Sequence, residues 1–211
     1  LGAGTERFSV GDPVAVFPLL WCGKCKACQR KAYAQCSDYD YLGSRCDGGF
    51  ADYVIAPVRN LIAVPQGVSL RAAAMAEPAA VARHAVQRAG EIQPGDPIAI
   101  FGAGPIGLMV AQWARAAGGE VMLCDIVPEK LEQARTLGFN KVFNSLTGNP
   151  VEWIESQTAG EGAAVCIEAA GVPATMIQAC KAVARAGCLV LMGNPSADVT
   201  LPVSLISQLM R

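Results

Sequence analysis

Two textures of apolar and polar positions divide the chain. In the second half, short continuous apolar runs alternate with stretches of helical spacing. The runs are PIAIF (97–101), EVMLCD (120–125), KVFN (141–144), AAVCIEAA (163–170) and CLVLMG (188–193), each of strand length. Between them PIGLMVAQWARAAG, PEKLEQARTLG, PVEWIESQTAG and PATMIQACKAVARAG read as helices. Strands that are apolar throughout are buried on both faces, so this alternation predicts a parallel sheet covered by helices. The fold class is α/β, a doubly wound nucleotide-binding domain with five of the usual six strands. The chain runs out in PVSLISQLMR (202–211) with no sixth apolar run.

The first half is shorter in rhythm. DPVAVFP (12–18), FADYVIAP (50–57) and NLIAVP (60–65) predict short strands bounded by turn residues, with a cysteine-rich stretch inserted between the first two. SLRAAAMAEPAAVARHAVQRAG (69–90) predicts a helical region that ends at Gly90. The expected division is a β-domain over 1–68, linking helices over 69–95 and the nucleotide-binding domain over 96–211. The opening, LGAGTERFSVGDPVAVFP, reads as a turn leading into a strand already under way, as in a piece of a longer protein.

Composition narrows the function classes. A formal net charge of −1 over 211 residues provides no electrostatic case for nucleic acid or an anionic membrane. No apolar run reaches the roughly 18 residues of a membrane span. Of nine cysteines, Cys46, Cys124, Cys166, Cys180 and Cys188 stand singly among small or apolar residues. With no secretory signal in view, that pattern predicts reduced thiols and a cytoplasmic setting.

The first chemical motif lies in IAIFGAGPIGLMVAQ, where Gly102, Gly104 and Gly107 form G-x-G-x-x-G. The pattern alone is weak, but here it closes an apolar strand and opens an amphipathic helix. Gly102 permits the tight turn, Gly104 lets a pyrophosphate approach the backbone, and Gly107 allows close helix–strand packing. The helix N-terminus offers N–H groups to the phosphates. Asp125, 18 residues after Gly107, can accept the hydroxyls of an adenosine ribose and repels a 2′-phosphate. The expected cofactor is NAD.

The second motif is WCGKCKACQRKAYAQC (21–36), with Cys22, Cys25, Cys28 and Cys36 spaced C-x2-C-x2-C-x7-C. Two-residue gaps let successive thiolates curl around one ion, and a longer excursion returns a fourth. Iron–sulfur ferredoxins close such a run with C-x3-C-P, whereas here the last gap is seven residues and Ser37 follows. A disulfide needs no third cysteine. The spacing therefore predicts a closed, structural zinc site, with Lys24, Lys26, Arg30 and Lys31 offsetting its negative charge and the metal ordering a loop poor in apolar residues. Glu77 is a lone acid in an apolar stretch: either a metal ligand or a first-turn helix acid beside Pro78.

A four-cysteine lobe ahead of a dinucleotide fold resembles the zinc-dependent medium-chain dehydrogenases. VAVFPLLWCGKCKACQRKAYAQC, YLGSRCDGGFADYV and AEPAAVARHAV resemble the polyol branch most, and the likeness spans the whole chain. The resemblance implies a GroES-like first domain and a zinc-dependent transfer of hydride from a secondary alcohol of a polyol or polyol phosphate to NAD. It implies that Pro105 and Ile106 join the three glycines at the pyrophosphate, that Lys130 joins Asp125 at the ribose, and that Val81, Ala170 and Met192 lie near the nicotinamide. It makes Glu77 a ligand of a second, catalytic zinc. His84, on the same helical face, has no such role in the family and is expected to be a core or supporting residue. Arg45, in LGSRCDGG, either meets a substrate phosphate or is an exposed loop arginine. The family's other catalytic ligands, a Cys and a Gly-His-Glu motif, are absent from these residues. The chain alone is therefore expected to lack turnover, and a complete relative to be a homodimer or tetramer. A zinc-stabilised NAD-binding module without turnover is the alternative.

Overall fold

The computed structural model describes residue 2, residues 5–195 and residues 198–201. The segment 202–211, where no sixth strand is expected, lies outside them. Backbone contacts divide the chain into two units, Leu1–Glu77 and Pro78–Arg211, each described in its own frame.

The first unit and the helix that leaves it contain β1 (Val14–Val16), β2 (Leu19–Trp21), α1 (Lys26–Gln29), β3 (Tyr39–Tyr41), β4 (Leu61–Ala63), α2 (Leu70–Ala73) and α3 (Ala76–Arg88). β1 pairs antiparallel with β4, and β2 with β3. Fully buried Asn60 ties this crossing together: its side-chain N–H group donates to the Phe17 and Leu19 carbonyls, both at 2.7 Å, while its backbone carbonyl accepts the Phe17 N–H.

Three expectations are corrected here. FADYVIAP (50–57) is not a strand; among the described residues no strand pairs with it, and Phe50, Tyr53 and Ile55 are almost fully exposed. Alternating apolar residues make a strand only where a neighbour takes up the backbone hydrogen bonds. The helical region splits in two, because Ser69 caps α2 through the Ala72 N–H and the chain turns at Ala74–Met75 before α3 begins. The cysteine stretch has its own scaffold: Trp21, the last residue of β2, stacks on Tyr33 at 4.5 Å and lies under the Arg59 guanidinium at 4.6 Å.

The second unit alternates β5 (Pro97–Phe101), α4 (Pro105–Ala116), β6 (Glu120–Asp125), α5 (Pro128–Thr136), β7 (Val142–Asn144), α6 (Pro150–Gln157), β8 (Ala163–Glu168), α7 (Pro173–Ala182) and β9 (Val183–Leu191). The strands form one parallel sheet in the order β7-β6-β5-β8-β9. Because successive side chains on a strand point to opposite faces, the apolar runs supply two cores. Ile98, Ile100, Leu123 and Ile167 pack with Ala82, Val110 and Leu131 on one face. Ala99, Phe101, Met122 and Cys166 pack with Ile154 and Ala179 on the other. The five strands fall where the apolar runs predict, with one shift. The helix expected to reach Gly187 ends at Ala182, and the chain enters β9 five residues early, at Val183. Val183 is buried and pairs with Ala163, and the register then slips before Cys188 meets Val165. Burial of Val183 against the sheet outweighs the helical propensity of the alanines around it.

Candidate functional site

The sheet order places the switch point between β5 and β8: the chain runs outward from β5 to β7, then returns to β5's other side. Ligands of such sheets bind outside the carboxyl ends of the strands at this point. The glycine turn lies there. Gly102 has φ +109°, and a Cβ on it would press within 2.9 Å of the Ala170 nitrogen. A Cβ on Gly107 would collide with the Gly102 carbonyl, so this glycine permits the helix to sit on the turn. Gly104 differs: apart from its chain neighbours, no protein atom lies within 4 Å of where its Cβ would be. Packing does not require glycine there, which leaves this stretch of backbone open to a ligand. Pro105 is the first residue of α4, and Ile106 packs against the core.

Asp125 ends β6 with its side chain only 7% exposed. Its Oδ2 accepts the Ala103 N–H at 2.7 Å and its Oδ1 accepts the Val127 N–H at 2.9 Å. The carboxylate thus links the end of β6 to the glycine turn, and Lys130, in the first turn of α5, reaches 3.8 Å from Oδ2. Each oxygen keeps a lone pair for a ribose hydroxyl. These residues fit an adenosine dinucleotide.

Across the switch point, Ala170 and Met192 follow β8 and β9. Between them lies a residue the sequence reading missed. Glu168, fully buried, accepts at Oε1 from the Ala170 N–H (2.9 Å), the Gly171 N–H (2.8 Å) and the Thr175 hydroxyl (2.6 Å). The signal was present as a single acid inside the apolar run AAVCIEAA. Val81 lies on α3 and is 41% exposed.

In the first unit the structure brings all four predicted cysteines together. Their sulfurs lie within 4.8 Å of one another, and among the described residues no other such cluster of His, Cys, Asp or Glu forms. Four sulfurs at about 2.3 Å from one zinc sit about 3.8 Å apart, and the Cys25 and Cys36 sulfurs are 3.9 Å apart. Cys25 caps α1 by accepting the Cys28 N–H, and the Cys36 sulfur accepts the Cys22 N–H at 3.3 Å. N–H groups at Cys28 and Ser37 hold the Cys25 thiol down at about 5, and those at Lys24 and Cys25 lower Cys22. Burial, with the neighbouring sulfurs, pushes Cys28 up to about 12. A pocket that favours thiolates at two positions and resists one at a third, beside them, fits a bound cation that neutralises all four.

Glu77 is half-buried in the first turn of α3 and accepts the Tyr41 hydroxyl at 2.8 Å. Burial, then this carboxylate, pushes the Tyr41 phenol up to about 12. Sequence reasoning gave no hint of this pair. His84 is exposed, which corrects the expected core or supporting position. Arg45 is also exposed; its guanidinium lies 4.1 Å over the Tyr39 ring and donates to the Tyr39 hydroxyl at 2.9 Å.

A four-sulfur cluster and a switch-point glycine turn in one chain mark a class of proteins suited to zinc and to a dinucleotide. The chain belongs to the zinc-binding dehydrogenase family: that family's profile matches residues 105–210, and the alcohol dehydrogenase GroES-like domain matches residues 1–66. It is 36% identical to sorbitol dehydrogenase from Bacillus subtilis, over 98% of this chain and 59% of the relative. Galactitol-1-phosphate dehydrogenase from Escherichia coli superposes with a TM-score of 0.88 at 33% identity, over 100% of this chain and 61% of that one. A Sinorhizobium meliloti protein solved bound to NADP superposes with a TM-score of 0.91 at 29% identity, over 98% and 61%. The chain thus spans about three-fifths of the length of these relatives.

Proposed function

We propose that the chain is the zinc-lobe and cofactor-binding portion of an NAD-dependent polyol dehydrogenase. Its reaction transfers hydride from a secondary alcohol of a polyol or polyol phosphate to NAD. The observation that carries this reading is the open approach to Gly104 beside a carboxylate, Asp125, already fixed at the ribose end of the turn. Gly102, Gly104, Pro105, Ile106 and Gly107 face the pyrophosphate, Asp125 and Lys130 the adenosine ribose, and Val81, Ala170 and Met192 the nicotinamide. Asp125 favours NAD over NADP, because a 2′-phosphate would meet its charge.

Cys22, Cys25, Cys28 and Cys36 hold a structural zinc with no open position, so that metal takes no part in the reaction. Glu77 is the residue offered to a catalytic zinc, which when bound supplies polarisation of the substrate alcohol. Tyr41 orients that carboxylate. Arg45 meets a substrate phosphate if it leaves Tyr39. The similarity to sorbitol and galactitol-1-phosphate dehydrogenases supports a polyol substrate; for the whole protein a cytoplasmic setting and a homodimer or tetramer are part of the same proposal. No helix among the described residues is long and apolar enough to cross a membrane. The test is NADH formation by the whole protein with sorbitol and galactitol 1-phosphate. Turnover with either, lost on Glu77→Ala, is expected; zinc-replete protein inert toward all secondary alcohols would overturn the reading.

A further inference from the structure

The Glu168 carboxylate has a second oxygen. Oε2 is buried and among the described residues has no hydrogen-bond partner, and no cation pairs with the carboxylate. A buried carboxylate oxygen with neither is costly. What steadies the group is one-sided: Oε1 collects two backbone N–H groups and the Thr175 hydroxyl at the N-terminal turn of α7, the positive end of that helix. Oε2 faces the other way, where a Cβ on Gly193 would collide with it and with the Gly171 backbone. The loops after β8 and β9 close over the carboxylate. The same β8 loop abuts Gly102, and its Ala169 N–H donates to the Phe101 carbonyl at 2.8 Å.

This arrangement lies beneath one particular half of the crevice. Asp125 fixes the adenosine end on the β6 side of the switch point, so the second mononucleotide extends over the ends of β8 and β9. We propose that Glu168 is an electrostatic positioning residue for the nicotinamide: its buried, cation-free carboxylate favours binding of the oxidised, positively charged ring over the neutral reduced one. The inference rests on the dinucleotide reading above. It adds that the chain itself biases the cofactor's redox form, without Glu168 touching the ring. The backbones of residues 170–171 and 193 lie against the carboxylate, and a field acting through packed backbone is screened less than one acting through water.

The experiment measures the dissociation constants of NAD and NADH for the chain by titration calorimetry, and repeats both for Glu168→Gln and Thr175→Val. Glutamine keeps an acceptor for the three Oε1 donors and removes the charge. It is expected to weaken NAD relative to NADH by roughly fivefold, the effect of one charge several ångströms away across partly screened protein. Thr175→Val keeps the charge and strips one donor from it, so the preference for NAD is expected to rise. If Glu168→Gln does not fold, the valine variant decides alone. An unchanged NAD-to-NADH ratio in the folded variants, or equal weakening of both forms, would overturn the proposal and leave Glu168 a loop clamp. If the wild-type chain binds neither form, the dinucleotide reading falls, and this inference with it.

Discussion

At Asp125 one side chain fixes the turn and, in the function proposed above, meets the ligand as well. Its oxygens already satisfy the N–H groups of buried Ala103 and of Val127. Asp125→Ser should therefore lower the ratio of NAD to NADP affinity about tenfold and also cost about 1–3 kcal/mol of stability, since a buried N–H loses its acceptor. Fluorescence titrations with both cofactors and urea unfolding read the two effects. An unchanged affinity ratio would remove Asp125 from the ribose site. Its neighbour Cys124 points into the opposite environment. Burial, with the Asp125 charge adding to it, pushes the Cys124 thiol up to about 12, and burial raises Cys166 as well. In the unfolded chain such thiols ionise near pH 9, as exposed ones do. Above that pH the unfolded state has lost protons the folded state retains, so stability falls with rising pH until the folded thiols ionise too. The slope approaches about 1.4 kcal/mol per pH unit for each such thiol. Thermal unfolding between pH 8 and 11 should show this decline, reduced in Cys124→Ala.

Among the elements, the cysteine lobe combines a metal site with an aromatic brace. The β2–β3 ribbon and the Trp21–Tyr33 stack hold its base, while residues 22–36 carry the four sulfurs. One zinc per chain is expected by elemental analysis, and Cys28→Ser should lose it. A three-sulfur site would also leave the Cys25 cap on α1 without its metal. Hydrogen exchange after chelation should show residues 22–38 losing protection while β5, β6 and β8 keep theirs, because the two cores of the sheet contain none of the lobe. Iron in place of zinc, or a disulfide under reducing conditions, would overturn the assignment.

For the molecule as a whole, two features bear on what residues 1–211 do by themselves. Glu77 has Tyr41 as its hydrogen-bond partner, and no group of metal-ligating side chains gathers around it among the described residues. Phe50, Tyr53 and Ile55 stand exposed, with no strand beside them among the described residues. Residues 1–211 should therefore bind NADH yet show no zinc-dependent oxidation of sorbitol or galactitol 1-phosphate. They should also self-associate through the 50–55 stretch, with Phe50→Ser and Ile55→Ser together lowering the scattering mass. Turnover near that of the whole protein would refute the first expectation. The sequence by itself determined whatever rests on local spacing. The five apolar runs became strands, with β5, β6 and β8 the buried ones, the C-x2-C-x2-C-x7-C spacing brought four sulfurs together, and G-x-G-x-x-G closed a strand and opened a helix. Only the tertiary structure decided the rest, because it depends on partners distant in the chain. Strand FADYVIAP failed for want of a neighbour, and β9 began early because Val183 found Ala163. Tyr41 met Glu77 across 36 residues. Glu168, a lone acid in an apolar run, became a clamp between loops because the parallel sheet sets the ends of β5, β8 and β9 side by side, a proximity no local pattern encodes.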